Sequence, residues 1–178
     1  MLKGMIYDAN NDPRLIAERA ECKELCHDYN HLRPKDVEGR RKIIMELLGS
    51  VKGNFLIEQP FLCDYGYNIH IGDNFYANHN LVILDGATVK FGDNVFVAPN
   101  CGFYTAGHPI DAAERNKGLE YARPITVGND VWIGGNVCVL PGVTIGDDCV
   151  IGAGSVVVKD IPPHSVAVGN PCKVIKTI

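Results

Sequence analysis

The sequence predicts a mainly β chain: a parallel β-helix of triangular section, a small α-helical N-terminal segment, and a protruding loop at about 105–124. Three observations predict it. First, an aliphatic residue recurs at every sixth position, at Val127, Ile133, Val139, Ile145, Ile151 and Val157, and glycine follows it at Gly128, Gly134, Gly146 and Gly152. Second, another apolar or small residue stands two places earlier each time: Ile125, Val131, Val137, Val143, Cys149 and Ser155. Third, one polar stretch breaks the pattern, from Thr105 to Pro124. A period of six matches neither the 3.6 of a helix nor the 2 of a strand. It matches a short strand plus a tight turn, three of which close one coil of about 18 residues. The aliphatics then point inward and stack on the next coil about 4.8 Å away. The Gly, Asp or Asn that follows is expected at the corner, where permissive backbone angles are needed.

Taken in chain order, the N-terminal segment comes first. Asp12-Pro13 is a helix start, because Asp caps and Pro fits the first turn. Leu15, Ile16, Ala20, Leu25 and Cys26 follow at helical spacing. Pro34-Lys35-Asp36 opens a second helix carrying Val37, Ile43, Ile44, Leu47 and Leu48, which stops near Gly49. Two short helices bury little core alone, so they should lie across something larger. The expected division is a helical segment over 1–55 and a β-helix with a C-terminal tail over 56–178. The repeat is already present at Ile71-Gly72-Asp73-Asn74 and Phe91-Gly92-Asp93-Asn94, with Ala77, Ile83, Val97 and Phe103 in register after a two-residue slip near Lys90. The stretch from Thr105 to Pro124 is punctuated by Gly and Pro and cannot continue the coils. A long loop on a rigid scaffold is where function concentrates.

Composition narrows the partners. The chain has 178 residues, 46% hydrophobic and 21% charged, with a formal charge of −4 and scattered Lys and Arg. That gives no basis for nucleic-acid binding. No apolar run approaches the roughly 20 residues of a membrane span. The stretch from Met1 to Asp8 lacks a basic region followed by an apolar one, so no signal peptide is expected and the location should be cytoplasmic. The seven cysteines form no C-x-x-C pair. They read as reduced thiols packed as small hydrophobes, with Cys22 and Cys26 on one helix face, and no metal is called for.

The helical N-terminus, the hexads, and above all Tyr104-Thr-Ala-Gly-His108-Pro-Ile-Asp and Phe75-Tyr-Ala-Asn78-His-Asn resemble the maltose/galactoside O-acetyltransferases. The resemblance covers nearly the whole chain. It implies a left-handed parallel β-helix, the left hand being against the usual crossover rule. It implies a homotrimer with active sites between neighbouring prisms, and acetyl transfer from acetyl-CoA to a sugar hydroxyl. His108 would be the base and Asn78 the transition-state donor. Asp64 falls where the family contacts the acceptor. Asp85 adjoins another such position, acidic in galactoside enzymes but Gly86 here; this points away from a galactoside and towards a maltose- or glucose-like acceptor. Asp8 is the candidate N-terminal acceptor contact. For CoA the resemblance points to Gly135, Ala153, Val158 and Lys159, and to Lys173 and Lys176 near the C-terminus.

The chemistry suits these residue types. An alcohol must lose its proton as it attacks a thioester, and an imidazole, ordinarily near pKa 6.5, accepts it at neutral pH. The oxyanion that forms needs fixed donors, and both substrates must be held in line. Attack is direct, so neither an acyl-enzyme nor a nucleophilic Cys101 is needed. Glu120, on the same loop, is the expected partner that orients His108. Rival readings are a non-sugar acceptor (serine, an antibiotic, a cell-surface glycan), a non-catalytic solenoid scaffold, and a γ-type carbonic anhydrase. The last needs three zinc-binding histidines, where the prism offers only His70 and His79 beside His108.

Overall fold

The computed structural model describes residues 5–178, so the first four residues of the expected 1–55 segment lie outside the described residues. Two helices open it: α1, Pro13–His31, and α2, Val37–Leu47. The side chain of Asp12 accepts the Arg14 amide at 2.9 Å, and Pro13 stands where its missing N–H would have no helical partner. Asp36 caps α2 through the Gly39 amide at 3.0 Å. The face that α1 buries differs from the expected one. Cys22, Cys26 and Tyr29 are buried, whereas Ile16 is 45% exposed and Ala20 lies in solvent. Of the expected set only Cys26 is fully buried and Leu25 packs half-buried against the core, because the prism meets the C-terminal half of α1.

The remainder is a three-faced parallel β-helix. One face holds Ser50–Val51, Ile69–Ile71, Val89–Phe91, Ile125–Val127 and Thr144–Ile145. A second holds Phe61–Cys63, Leu81–Leu84, Gly102–Tyr104, Cys138–Val139 and Val156–Val157. The third runs from Phe55–Ile57 through Phe75–Ala77, Phe96–Val97, Trp132–Ile133, Val150–Ile151 and Ser165–Val168, and ends in Lys173–Thr177, which folds back antiparallel. The coil thus begins at Ser50, ahead of the expected boundary at 55. Late coils repeat every 18 residues and early ones every 20, and the step across the 105–124 excursion is 36. Among the described residues no helix is long and apolar enough to cross a membrane.

All six hexad aliphatics from Val127 to Val157 are buried at 1% exposure or less. The wider early coils are filled by aromatic rings instead. Phe75 packs on Phe91 at 5.0 Å between centroids, and Phe91 on Phe103 at 4.9 Å, edge to face. The corner meets the expectation at its Asn and Asp residues but not at the glycine directly after each aliphatic. Left-handed backbone recurs at Asn74, Asn94, Asp130 and Asp148 in one row and at Asn80, Asn100, Asn136 and Gly154 in another. The glycine after each aliphatic is required for close approach: a Cβ at Gly72 would lie 2.2 Å from the Gly92 carbonyl oxygen. Asn side chains then bond along the corner, Asn74 to Asn94 at 3.0 Å and Asn94 to Asp130 at 2.8 Å.

Candidate active site

The 105–124 stretch is an ordered strap rather than a loose loop. Thr105 anchors it: its buried hydroxyl donates to the Leu84 carbonyl at 2.7 Å and accepts the Ala87 amide at 2.9 Å. Ala106–Gly107 pairs antiparallel with Leu119–Ala122, which pairs in turn with Tyr7–Asp8 near the N-terminus. A short helix, α3, Ala112–Arg115, closes the tip, capped by Asp111. Strands this short, joined across more than a hundred residues, leave no periodic signal in a sequence.

The strap presents His108 half exposed. Its Nδ1 lies 3.1 Å from the Leu119 carbonyl oxygen, which can only accept, so Nδ1 carries the proton. In the neutral ring Nε2 is then the free base. Glu120 was expected to orient the ring; the structure assigns that contact to the Leu119 carbonyl. Glu120 stands instead 3.9 Å from Nε2, too far for a hydrogen bond. Its other oxygen accepts the Tyr7 hydroxyl at 3.1 Å. Burial, and then the Glu120 charge, push the Tyr7 phenol far above its ordinary range, so it stays a donor. Neither Leu119 nor Tyr7 was foreseeable: any residue can supply a carbonyl, and Tyr7 acts from the far end of the chain.

The expected acceptor-side carboxylates differ in accessibility. Asp64 is half-buried; burial raises its carboxyl above the usual range, Arg19 pulls it back, and Glu120 raises it further. Asp85 has no exposed surface, so it departs from the expected acceptor contact. Its Oδ1 accepts the amides of Asp64 at 3.0 Å and Tyr65 at 2.9 Å, while Oδ2 has no partner, and burial lifts its pKa to about 6. Asp85 therefore positions Asp64. Asp8 uses Oδ1 to accept the Asn11 amide at 3.0 Å and hold the turn into α1. A Cβ at Gly86 would come within 3.0 Å of the Tyr7 hydroxyl, so Tyr7 fills the room an acidic side chain would occupy there.

Asn78 lies elsewhere, on a prism edge, with no hydrogen bond to His108. Its Oδ1 accepts the His79 amide at 2.8 Å, leaving the amide N–H groups free to donate. The same edge carries Gly135 and Ala153, stacked coil on coil: the Asn136 amide donates to Pro99 at 2.9 Å and the Gly154 amide to Gly135 at 2.8 Å. These small residues leave the edge open; a Cβ at Gly154 would meet nothing. Beside it runs an apolar groove lined by Tyr76, Asn78, Phe96, Val97, Ala98 and Trp132. Trp132 is 57% exposed. Val158, Lys159, Lys173 and Lys176 are exposed, the last two on the antiparallel C-terminal strand. Cys101 is buried, its thiol donating to the Gly134 carbonyl at 3.2 Å and pushed up by burial, which disfavours a nucleophile.

Comparison with known proteins agrees with this geometry. Residues 1–53 match the family model described as the maltose acetyltransferase hexapeptide capping motif, and residues 124–159 match bacterial transferase hexapeptide (six repeats). The galactoside O-acetyltransferase of Escherichia coli is 52% identical over 92% of this chain and 81% of its own length. The crystal structure of a maltose O-acetyltransferase from Clostridium difficile superposes with a TM-score of 0.97 at 54% identity, covering 99% of this chain and 94% of the other. A galactoside acetyltransferase solved in complex with coenzyme A gives 0.96 at 48% identity, covering 99% and 88%.

Proposed function

This chain belongs to the maltose/galactoside O-acetyltransferase family and is an acetyltransferase; from that premise we propose that it moves the acetyl group of acetyl-CoA to a sugar hydroxyl, with His108 as general base. The observation that carries the reading is the Nδ1 contact of His108 with the Leu119 carbonyl at 3.1 Å, which leaves Nε2 as the proton acceptor. The acceptor hydroxyl loses its proton to Nε2 as its oxygen bonds to the thioester carbon. The oxyanion takes a hydrogen bond from the free amide of Asn78. The C–S bond then breaks, and the sulfur takes the proton back from the imidazolium. Direct transfer of this kind needs the two substrates held in line.

His108 and Asn78 are not joined within one chain, so the complete site is the cleft between two copies of a homotrimer, with Trp132, Phe96 and Tyr76 as the apolar contact. The open edge at Gly135 and Ala153 suits the narrow arm of CoA, and Val158, Lys159, Lys173 and Lys176 line its outer course. Lysines attract its phosphates as point charges. Asp64 faces the acceptor, with Asp8 bracing the adjoining strand. The Tyr7 hydroxyl beside Gly86 favours a maltose- or glucose-like acceptor over a galactoside. The test is CoA thiol release with glucose, maltose, galactosides, serine and chloramphenicol. Turnover with glucose or maltose at least about tenfold above the rest is expected; preference for serine or chloramphenicol would overturn the sugar assignment.

A further inference from the structure

Three thiols that lie far apart in sequence meet under α1. Cys22 and Cys26 stand on successive turns of the helix, and Cys63 ends the strand Phe61–Cys63 that the helix covers. The Cys63 sulfur lies 3.5 Å from that of Cys22 and 3.8 Å from that of Cys26, and all three fall within 4.8 Å of one another. Their residues are 2%, 2% and 7% exposed. With metal–sulfur bonds of about 2.3 Å, a flat three-sulfur triangle has edges of about 4.0 Å. The two edges that meet at Cys63 lie within about 0.5 Å of that length, and the third is no longer than 4.8 Å.

Thiolates select soft ions. Among the described residues no fourth Cys, His, Asp or Glu atom joins the group, and the burial leaves little room for solvent. That set suits an ion content with three sulfurs better than zinc, which closes its shell with four ligands. The approach is acidic: a surface depression beside Cys22 is bordered by Glu18, Glu21 and Glu46. A carboxylate rim raises the local concentration of cations and repels anions.

We propose that Cys22, Cys26 and Cys63 form a buried three-sulfur site for a soft monovalent metal cation, with Cu(I) as its representative. Binding releases thiol protons and clips α1 to the prism between positions 41 residues apart. The site stands apart from the acetyl-transfer chemistry and does not depend on it.

The experiment is an anaerobic titration of the reduced full-length chain with Cu(I) against a chromophoric chelator. One equivalent per chain should bind, and Cys63→Ser should weaken it by about 100-fold or more. Cys101→Ser, which removes a buried thiol in another part of the prism, should leave it unchanged. Cys22→Ala, on the helix rather than in the prism, gives a second reading if Cys63→Ser folds poorly by circular dichroism. Equal affinity in wild type and the Cys22 and Cys63 variants, loss in Cys101→Ser instead, or equally tight binding of Zn²⁺ would overturn the proposal.

Discussion

The hydroxyl of Tyr7 donates to Glu120 across 3.1 Å, and Gly86 supplies the space for it. This contact ties the N-terminal strand to the carboxylate beside His108. Hydrogen bonds to charged groups contribute about 1.5–3 kcal/mol. Tyr7→Phe should therefore lower kcat/KM about tenfold while leaving the KM for acetyl-CoA within twofold. Steady-state kinetics with each substrate varied decide it; an unchanged kcat/KM would detach Tyr7 from the site.

His108→Ala removes the base without touching the prism. Turnover should fall by about 10²–10⁴-fold, with CoA affinity, read by calorimetry, essentially unchanged. Unaltered turnover would remove His108 from the mechanism.

Asn78→Asp separates two duties of one side chain. The carboxylate still accepts the His79 amide, but the donor is lost. A single oxyanion donor is worth about 2.7–4 kcal/mol, so kcat should drop by about 10²–10³-fold with thermal stability little changed. A loss of stability matching the loss of activity would make Asn78 a corner residue only.

Trp132→Glu places a charge in the exposed aromatic row. Sedimentation should show dissociation to monomers, with the far-ultraviolet spectrum retained and activity lost, because the proposed site needs a second copy. An active monomer would refute the shared cleft.

Asp85 sets a stability dependence on pH. Its folded pKa, about 6, lies above the ordinary 3.8 because burial disfavours its charge. Between those values the folded state binds more protons than the unfolded state, so this group lowers stability as pH rises through the window. The full difference is on the order of 3 kcal/mol at about 1.4 kcal/mol per unit. Asp85→Asn still accepts the Asp64 and Tyr65 amides and cannot ionise. Its stability relative to wild type should rise between pH 4 and pH 6.5 in denaturant titrations; a parallel pH dependence would contradict the assignment.

The sequence by itself determined the prism, because a solenoid repeats one local rule: an inward aliphatic every sixth residue is legible wherever it occurs, from Ile71 to Val157. It also singled out His108, as the one imidazole in the segment that breaks the rule. Two of its details gave way. Asn and Asp took the left-handed corners as expected, but the glycines directly after the aliphatics proved to be points of close approach, since stacking distance is a property of two coils rather than one. Glu120 yielded the orienting contact to the Leu119 carbonyl, which carries no side-chain signature. Only the tertiary structure could join Tyr7 to Glu120, or Cys63 to Cys22 and Cys26. Such contacts arise where separate elements dock, and docking is fixed by burial across the whole core rather than by any local spacing.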